Sequence, residues 1–256
     1  MTFSIATWNV NSLRVRLPHV LQWIEANNPS VLALQETKVT DELFPVAEIE
    51  ALGYSVIYTG QPTYNGVAIL SRKPPEQVVT ALPHWNDSQC RFLAATIDQV
   101  HVVNVYVPNG ASVDSDKYQY KLTWLEHLRQ YLQTALTVHK RLVVLGDFNI
   151  APEDNDVYDP VAWAGKVLCS EPEREALQSL LALGLKDNFR LFSQPEETYS
   201  WWNYRTFAFR GNRGLRIDLI LSSQAFAEHC QSCRVDIEPR QWERPSDHAP
   251  VCAYFD

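Results

Sequence analysis

The feature that most constrains this chain is a repeated succession of short apolar runs, each of strand length, separated by turns or by amphipathic helical segments. Residues 3–8 read as a strand. Leu17, Val20, Leu21 and Ile24 follow i, i+3, i+4, i+7 spacing, which predicts an amphipathic helix over 18–27 with Pro18 at its start. Residues 31–35 are almost continuously apolar, the pattern of a strand covered on both faces. Residues 54–58 and 67–71 form a strand pair around a polar turn, and 92–97 and 100–107 form another. Residues 117–136 predict a long helix, with Leu122, Leu125, Leu128, Leu132 and Leu136 on or near one face, followed by a buried strand at 141–145. Ser170-Glu171-Pro172-Glu173 is a capping box that opens a helix ending near Gly184. Residues 198–202, 215–221, 234–237 and 251–255 read as strands. Strands mixed with helices throughout predict a single α/β domain over residues 1–256, with two packed sheets flanked by helices.

Composition narrows the class further. The 256 residues suit one large domain, and 46% hydrophobic with 20% charged residues excludes disorder and collagen. No apolar run is long enough to span a membrane, and the N-terminus lacks the basic start and apolar stretch of a signal peptide. A cytoplasmic location is expected. The five cysteines, an odd number, are expected to be reduced; Cys230 and Cys233 form a CxxC with no second pair at zinc spacing, and read as two thiols near a helix end. The net charge of −8 argues against a nucleic-acid binder on average, unless a local basic face or a bound cation reverses the sign where it matters. Residues 151–169 have no clear period; they lack the Gly and Glu of a calcium loop after Asp154 and read as a solvated surface loop. No heptad or repeat appears, so a monomer without an obligate protein partner is expected.

Function is written at the strand ends. The first strand runs into Trp8-Asn9-Val10-Asn11, the second into Gln35-Glu36-Thr37-Lys38, and the strand through Val105 into Tyr106-Val107-Pro108-Asn109. The strand at 141–145 ends in Gly146-Asp147-Phe148-Asn149, another run contains Arg216-Ile217-Asp218, and Pro245-Ser246-Asp247-His248 lies near the C-terminus. Taken singly, each has an ordinary explanation: Asp-Phe-Asn is a common turn, and Asp-His a common cap. Asp218 is harder to dismiss, because a carboxylate inside an apolar strand needs a partner, and His248 is the natural one. Together the clusters build a pocket of hard oxygen donors with one imidazole, which suits Mg²⁺ or Mn²⁺ better than zinc.

WNVNSLR, LQETK, YVPNG, GDFNIAP, YSWWNYR, NRGLRIDLIL and PSDHAPV occur in this order from residue 4 to residue 252. In these strings the chain resembles the exonuclease III family of apurinic/apyrimidinic endonucleases, a branch of the endonuclease/exonuclease/phosphatase superfamily. GDFN and SDH alone would also admit inositol polyphosphate phosphatases and sphingomyelinases, so a phosphatase or phospholipase-type phosphodiesterase is the alternative; LQETK with YSWWNYR and NRGLRIDLIL favours the nuclease. The resemblance implies a four-layer α/β sandwich of two packed mixed β-sheets flanked by helices. It also implies Mg²⁺-dependent cleavage of duplex DNA, as a 3′→5′ exonuclease, as an endonuclease cutting 5′ to abasic sites, and in cleaning of 3′ ends.

Matching the motifs to the needs of phosphodiester hydrolysis assigns roles. Glu36 is expected to be the principal metal ligand, with Asn9 orienting the metal shell or the base, and Asp247 a second carboxylate near the ion. Asp147 is the expected general base and Asn149 fixes the attacking water or a phosphate oxygen. His248 donates to a non-bridging oxygen, Asp218 pairs with its other ring nitrogen, and Tyr106 and Asn109 add donors around the phosphate. Asn11 is less readily assigned. Arg205, Arg210, Arg213 and Arg216, interleaved with Trp201, Trp202, Phe207 and Phe209, suit phosphate clamping beside a pocket for an extruded sugar. At least one of the two tryptophans is expected in the core, since neighbours on a strand face opposite sides. Arg14, Lys38, Arg72 and Arg91 are candidates to extend the basic rim. Residues 64–66, 151–169 and 207–215, including Tyr64 and Leu215, are expected to form the pocket rim, with Tyr158 or Trp163 as candidates to block or wedge the duplex.

Overall fold

The computed structural model describes residues 2–256. Its strands are β1 (Phe3–Asn9), β2 (Val31–Gln35), β3 (Ser55–Thr59), β4 (Val67–Ser71), β5 (Glu76–Val79), β6 (Phe92–Ile97), β7 (Val100–Tyr106), β8 (Leu142–Asp147), β9 (Leu185–Asp187), β10 (Asp218–Ser223), β11 (Cys230–Val235) and β12 (Val251–Phe255). They make two six-stranded sheets, in the orders β11-β12-β1-β2-β4-β3 and β5-β6-β7-β8-β10-β9. Both are mixed: β1–β2 and β7–β8 run parallel, their other neighbours antiparallel. The helices are α1 (Leu13–Asn27), α2 (Val46–Glu50), α3 (Asp116–Val138), α4 (Pro160–Trp163), α5 (Glu171–Leu181) and α6 (Gln224–Ala227).

Why the strands read as nearly unbroken apolar runs is now plain, since both faces of each sheet are covered. Alternate residues such as Ile5, Ala33, Val102, Leu145, Ile220 and Phe255 meet between the sheets. Their neighbours Ala6, Trp8, Leu32 and Leu34 face outward and pack beneath Val20, Trp23 and Ile24 of α1. On the other side Val103, Val105, Val144, Leu219 and Leu221 pack beneath Trp124, Leu125, Leu128 and Leu132 of α3 and Leu177 and Leu180 of α5. The result is the four-layer α/β sandwich. One polar contact crosses its middle: the buried Asn104 amide donates to the backbone oxygens of Leu34 (3.0 Å) and Ala68 (2.8 Å) in the opposite sheet and accepts from Gln35 Nε2 (2.7 Å). A buried amide with its bonds made fixes how the two sheets sit against one another, which apolar contact alone does not.

Several local expectations are corrected. The first helix starts at Leu13, and Pro18 lies inside it. The Ser12 and Leu13 N–H groups, which have no intrahelical partner, bond to the carbonyls of Glu36 (2.7 Å) and Thr37 (2.9 Å), so the chain can turn into the helix before the proline. Residues 198–202 make no strand; only Trp201 bridges, to Leu215 and His248. The strand expected at 215–221 begins at Asp218, because Leu215 exchanges backbone bonds with Trp201 instead. Cys230 and Cys233 lie in β11, which starts just past the end of α6 at Ala227. Residues 151–169 are not simply solvated: they carry α4 and a buried Asp156.

His101 on β7 is buried, its ring stacked on His139 at 4.0 Å, with Nε2 2.8 Å from the Tyr131 hydroxyl. Burial first, then the neighbouring His139, lower its pKa to about 4. The folded state therefore holds this imidazole neutral while the unfolded chain protonates it near 6.5. Stability from this group is fully present above that value and lost as pH falls toward 4, by about 2–3 kcal/mol. Urea titrations from pH 7 to 4 are expected to show this loss, and His101→Gln to flatten it.

Candidate active site

Strand register brings the polar clusters to one end of both sheets. Asn9 pairs with Gln35 in the parallel β1–β2 ladder, which places Glu36 beside Asn9. In the second sheet Tyr106 pairs with Asp147, and Asp147 with Asp218. The loop before β12 completes the set with Asp247 and His248, anchored by the Ser246 hydroxyl donating to the Asn9 carbonyl (2.6 Å) and by Trp8 Nε1 donating to the His248 carbonyl (3.2 Å). Gly146 in GDFN is obligatory: at φ +148° a Cβ would lie 1.9 Å from the Val105 carbonyl oxygen. Glu36 (φ 51°), Asn11 (φ 44°) and Asn149 (φ 50°) all hold left-handed backbone, which turns the chain sharply as each strand ends.

The side chains form one network. The Asn9 amide donates to Glu36 Oε1 (3.0 Å) and Asp147 Oδ2 (2.9 Å), while its oxygen accepts from the Asn11 N–H (3.0 Å). Asn9 thus orients the two carboxylates. The Tyr106 hydroxyl also donates to Glu36 Oε1 (2.8 Å). Asp147 Oδ1 accepts from the Asn149 N–H (2.9 Å), and Asn109 donates to the Asn149 side-chain oxygen (3.0 Å). His248 Nδ1 lies 2.8 Å from Asp218 Oδ2, and its Nε2 lies 3.8 Å from Asp147 Oδ2. Ser200 Oγ donates to Asp218 (2.7 Å) and accepts from the N–H groups of Ile217 and Asp218. Sequence reasoning misses Ser200, since its place beside two aromatics in YSWWNYR gives no sign of this role.

These contacts set protonation. Burial pushes Asp147 up to about 7, helped by the charges of Asp218 and Glu36 and opposed by His248 and the Asn9 amide. Burial alone would lower His248, but the carboxylates of Asp218 and Asp147 outweigh it and raise it to about 10. Burial likewise opposes ionisation of Glu36, yet Lys38 at 2.7 Å and the Asn9 amide hold its pKa below the usual value. Burial and the charge of Glu36 raise Tyr106 well above an ordinary phenol, so it is a donor. A base poised near neutrality beside a charged imidazole is the arrangement of acid–base chemistry. Asp147, Asp218 and His248 bring potential ligand atoms within 4.8 Å of one another and could hold a metal ion.

A cavity of about 330 Å³ opens on these groups and is also lined by Trp163, Leu168, Trp201 and Ile217. A groove of about 450 Å³ continues from Glu36 and Tyr106 past Lys38, Tyr64 and Arg91. Of the expected rim residues, Tyr64 is exposed in this groove, and Arg91 stacks on the Tyr106 ring at 4.6 Å. Lys38 is engaged within the site, on Glu36 and on Asn11 Oδ1 (2.6 Å), and Asn11 in turn donates to Asp247 (2.9 Å). Asn11 therefore links the Lys38–Glu36 pair to Asp247. Trp201 lines the cavity with Nε1 on Asp247 (3.0 Å), whereas Trp202 is buried, as expected of one of the two. Arg14, Arg205, Arg210 and Arg213 are exposed, the first on the opening turn of α1 and the others at 203–213. Tyr158 stays partly exposed and lies outside the cavity wall.

Three rim expectations fail. Leu215 is fully buried against Val157 and Trp201 and cannot touch a ligand. Arg216 is buried in ion pairs with Asp156 (2.6 Å) and Asp187 (2.8 Å). Arg72 follows Ser71, which pairs with Val31 at the opposite end of the sheet from Glu36, and its guanidinium covers Tyr54.

The pocket at one end of the two sheets thus combines buried carboxylates, amides and a charged imidazole. The pattern of the Endonuclease/Exonuclease/phosphatase family matches residues 6–248, and the chain belongs to that family. It is 38% identical to the exodeoxyribonuclease III of Haemophilus influenzae over 97% of this chain and 98% of that protein. The structure superposes with a TM-score of 0.98, at 47% identity and 99% coverage of each chain, on the 3′ phosphatase NExo from Neisseria bound to product DNA hairpin. An AP endonuclease from Archaeoglobus fulgidus gives a TM-score of 0.95 at 43% identity, again covering 99% of each chain.

Asp156 ties residues 151–169 to the segment entering β10: it pairs with Arg216, and its carbonyl accepts the Arg216 N–H (2.9 Å). Asp156→Ala leaves the buried guanidinium with Asp187 alone and is expected to lower the unfolding free energy, by less than the about 3–5 kcal/mol of a fully unpaired buried charge, measured by denaturant titration.

Proposed function

We infer that this protein is a DNA-repair nuclease, a phosphodiester hydrolase of the exodeoxyribonuclease III type. Its substrates are duplex DNA with 3′ ends or abasic sites, and its reactions include cleaning of 3′ ends. The observation that carries this reading is the convergence of Glu36, Asp147, Asn149 and His248 on one cavity that Trp163, Leu168 and Trp201 also line, with Asp218 bonded to His248 from behind. That cavity joins a polar floor for a phosphate to a wall for a sugar, and the adjoining groove carries Lys38, Arg91 and Lys117 for the backbone of a bound strand. The likeness to an exodeoxyribonuclease III and an AP endonuclease favours this reading over the phosphatase or phospholipase alternative. Among the described residues no helix is long and apolar enough to cross a membrane.

Asp147 takes the proton of the attacking water, with Asn149 and Asn109 placing that water or a phosphoryl oxygen. His248, held charged by Asp218, donates from Nε2 to a non-bridging oxygen, and the Tyr106 hydroxyl can turn from Glu36 to a second one. For the metal, the donors at this end of the sheets are carboxylates and amides, and Glu36 already faces one cation, the Lys38 ammonium. That chemistry fits Mg²⁺, with Mn²⁺ as substitute, held by Glu36 and Asp247. Such an ion would neutralise phosphoryl charge and stabilise the leaving oxygen. The five free cysteines agree with a cytoplasmic enzyme, and the proposal takes the working form as a monomer.

A labelled duplex with a recessed 3′ end and one with an abasic analogue are expected to be shortened or nicked with Mg²⁺ and left intact with EDTA. Asp147→Asn and Glu36→Gln are each expected to lower kcat by about 100-fold or more. Retained turnover in either variant would refute the role assigned to that carboxylate. The pH profile of kcat/KM, which reports the free enzyme, is expected to be a bell. Its alkaline limb lies near 10, where His248 loses its proton, and its acid limb near or below 7, where Asp147 gains one. A bound cation favours the carboxylate, so it moves the acid limb down and not up.

A further inference from the structure

The capping box that opens α5 does more than start a helix. Ser170 and Glu173 exchange the two bonds of the box, but Glu173 is fully buried, and so is Lys121 of α3, whose ammonium pairs with it. A glutamine at position 173 would complete the box, and an apolar side chain at position 121 would complete the buried face of α3. An interior ion pair is a costly way to do either. What the pair holds accounts for its presence. Lys121 Nζ donates to the backbone carbonyls of Asn149 (2.6 Å) and Asn109 (3.3 Å). Glu173 accepts from the N–H groups of Leu168 (3.0 Å) and Ser170 (3.1 Å), and the Tyr118 hydroxyl lies 2.6 Å from Ser170 Oγ.

Three segments with left-handed backbone meet at this pair: Asn149 (φ 50°), Leu168 (φ 76°) and Gly110 (φ 92°). A Cβ on Gly110 would come within 3.3 Å of Lys121 Cδ and 3.2 Å of Val167 Cγ2, so the chain passes directly over the pair. Asn109 and Asn149 are amides of the cavity floor, and Leu168 is part of its wall. We propose that Lys121 and Glu173 are positioning residues: one buried ion pair that sets the two catalytic amides and the wall at Leu168 relative to each other. The proposal deepens the nuclease reading and rests on it.

Lys121→Met, Glu173→Gln and the double variant test it, with CD melting, steady-state cleavage of the recessed duplex and hydrogen exchange at the Ala151 amide. That amide bonds to the Leu168 carbonyl (2.8 Å) and reports the junction without requiring activity. Lys121→Met is expected to lower kcat by about 10- to 100-fold with KM changed less than about threefold, as misplacement of catalytic groups does. Glu173→Gln, the milder change, is expected to lower kcat by about tenfold. Both are expected to weaken Ala151 protection. The double variant removes the unpaired charge, so its melting temperature is expected to recover while kcat stays low. Recovery of kcat together with melting temperature would overturn the proposal, as would wild-type kcat or unchanged Ala151 protection in folded Glu173→Gln. A wild-type protein that cut neither substrate would sink the nuclease reading instead, with the exchange result still judging the pair.

Discussion

Two carboxylates that face each other across an antiparallel ladder govern the site. Asp147 and Asp218 are directly paired and both buried, an arrangement of like charges that is destabilising by itself. His248 resolves it, with one ring nitrogen on Asp218 and the other facing Asp147. The imidazole is therefore both the element that makes the strand pairing tolerable and a group poised for phosphate. The Asn9 amide adds a second compensation from the other sheet. Each partner is held in turn, Asp218 by Ser200 and the His248 loop by Ser246 and Trp8. The cost of burying charge at these strand ends is offset by groups whose positions the chemistry also requires.

Much of this was legible in the sequence because the signals were local. Strands β2, β4, β6 and β12 fall where their apolar runs begin and end, since a run covered on both faces leaves no ambiguity of extent. The carboxylates and amides of the site followed from strand termini, and Asp218 with His248 from the need of a buried charge for a partner. What failed was non-local. Pro18 marks a helix start in isolation, but the bonds from Ser12 and Leu13 to residues 36 and 37 begin the helix earlier. Arg216 reads as one more arginine in a basic, aromatic stretch; only the arrival of Asp156 and Asp187 from other parts of the chain makes it interior. Leu215 sits among rim residues in sequence but is enclosed by Val157 and Trp201 in space. The segment 151–169 carries no period because its order comes from such cross-chain contacts, and not from its own pattern.

The same contrast separates chemistry from selectivity. The groups proposed to act on a phosphate are fixed by strand register and by buried bonds. Those proposed to meet the rest of a bound strand, such as Tyr64 and the exposed arginines at 203–213, lie on loops around them. One scaffold can keep its hydrolytic floor while the surrounding loops change which DNA end or lesion is admitted.

The order in which the site can be assembled has its own consequence. The first and last strands of the chain are neighbours, with Phe3 opposite Phe255. Asp247 and His248 lie in the loop that enters this final strand. A growing polypeptide that has already emerged with Glu36 and Asp147 still has no imidazole between its carboxylates, and its first sheet has an open edge along β1. The imidazole that offsets the buried carboxylates thus joins the site only after the segments bearing Glu36, Asp147 and Asp218 have been made, and the strand that follows it covers the open edge of β1.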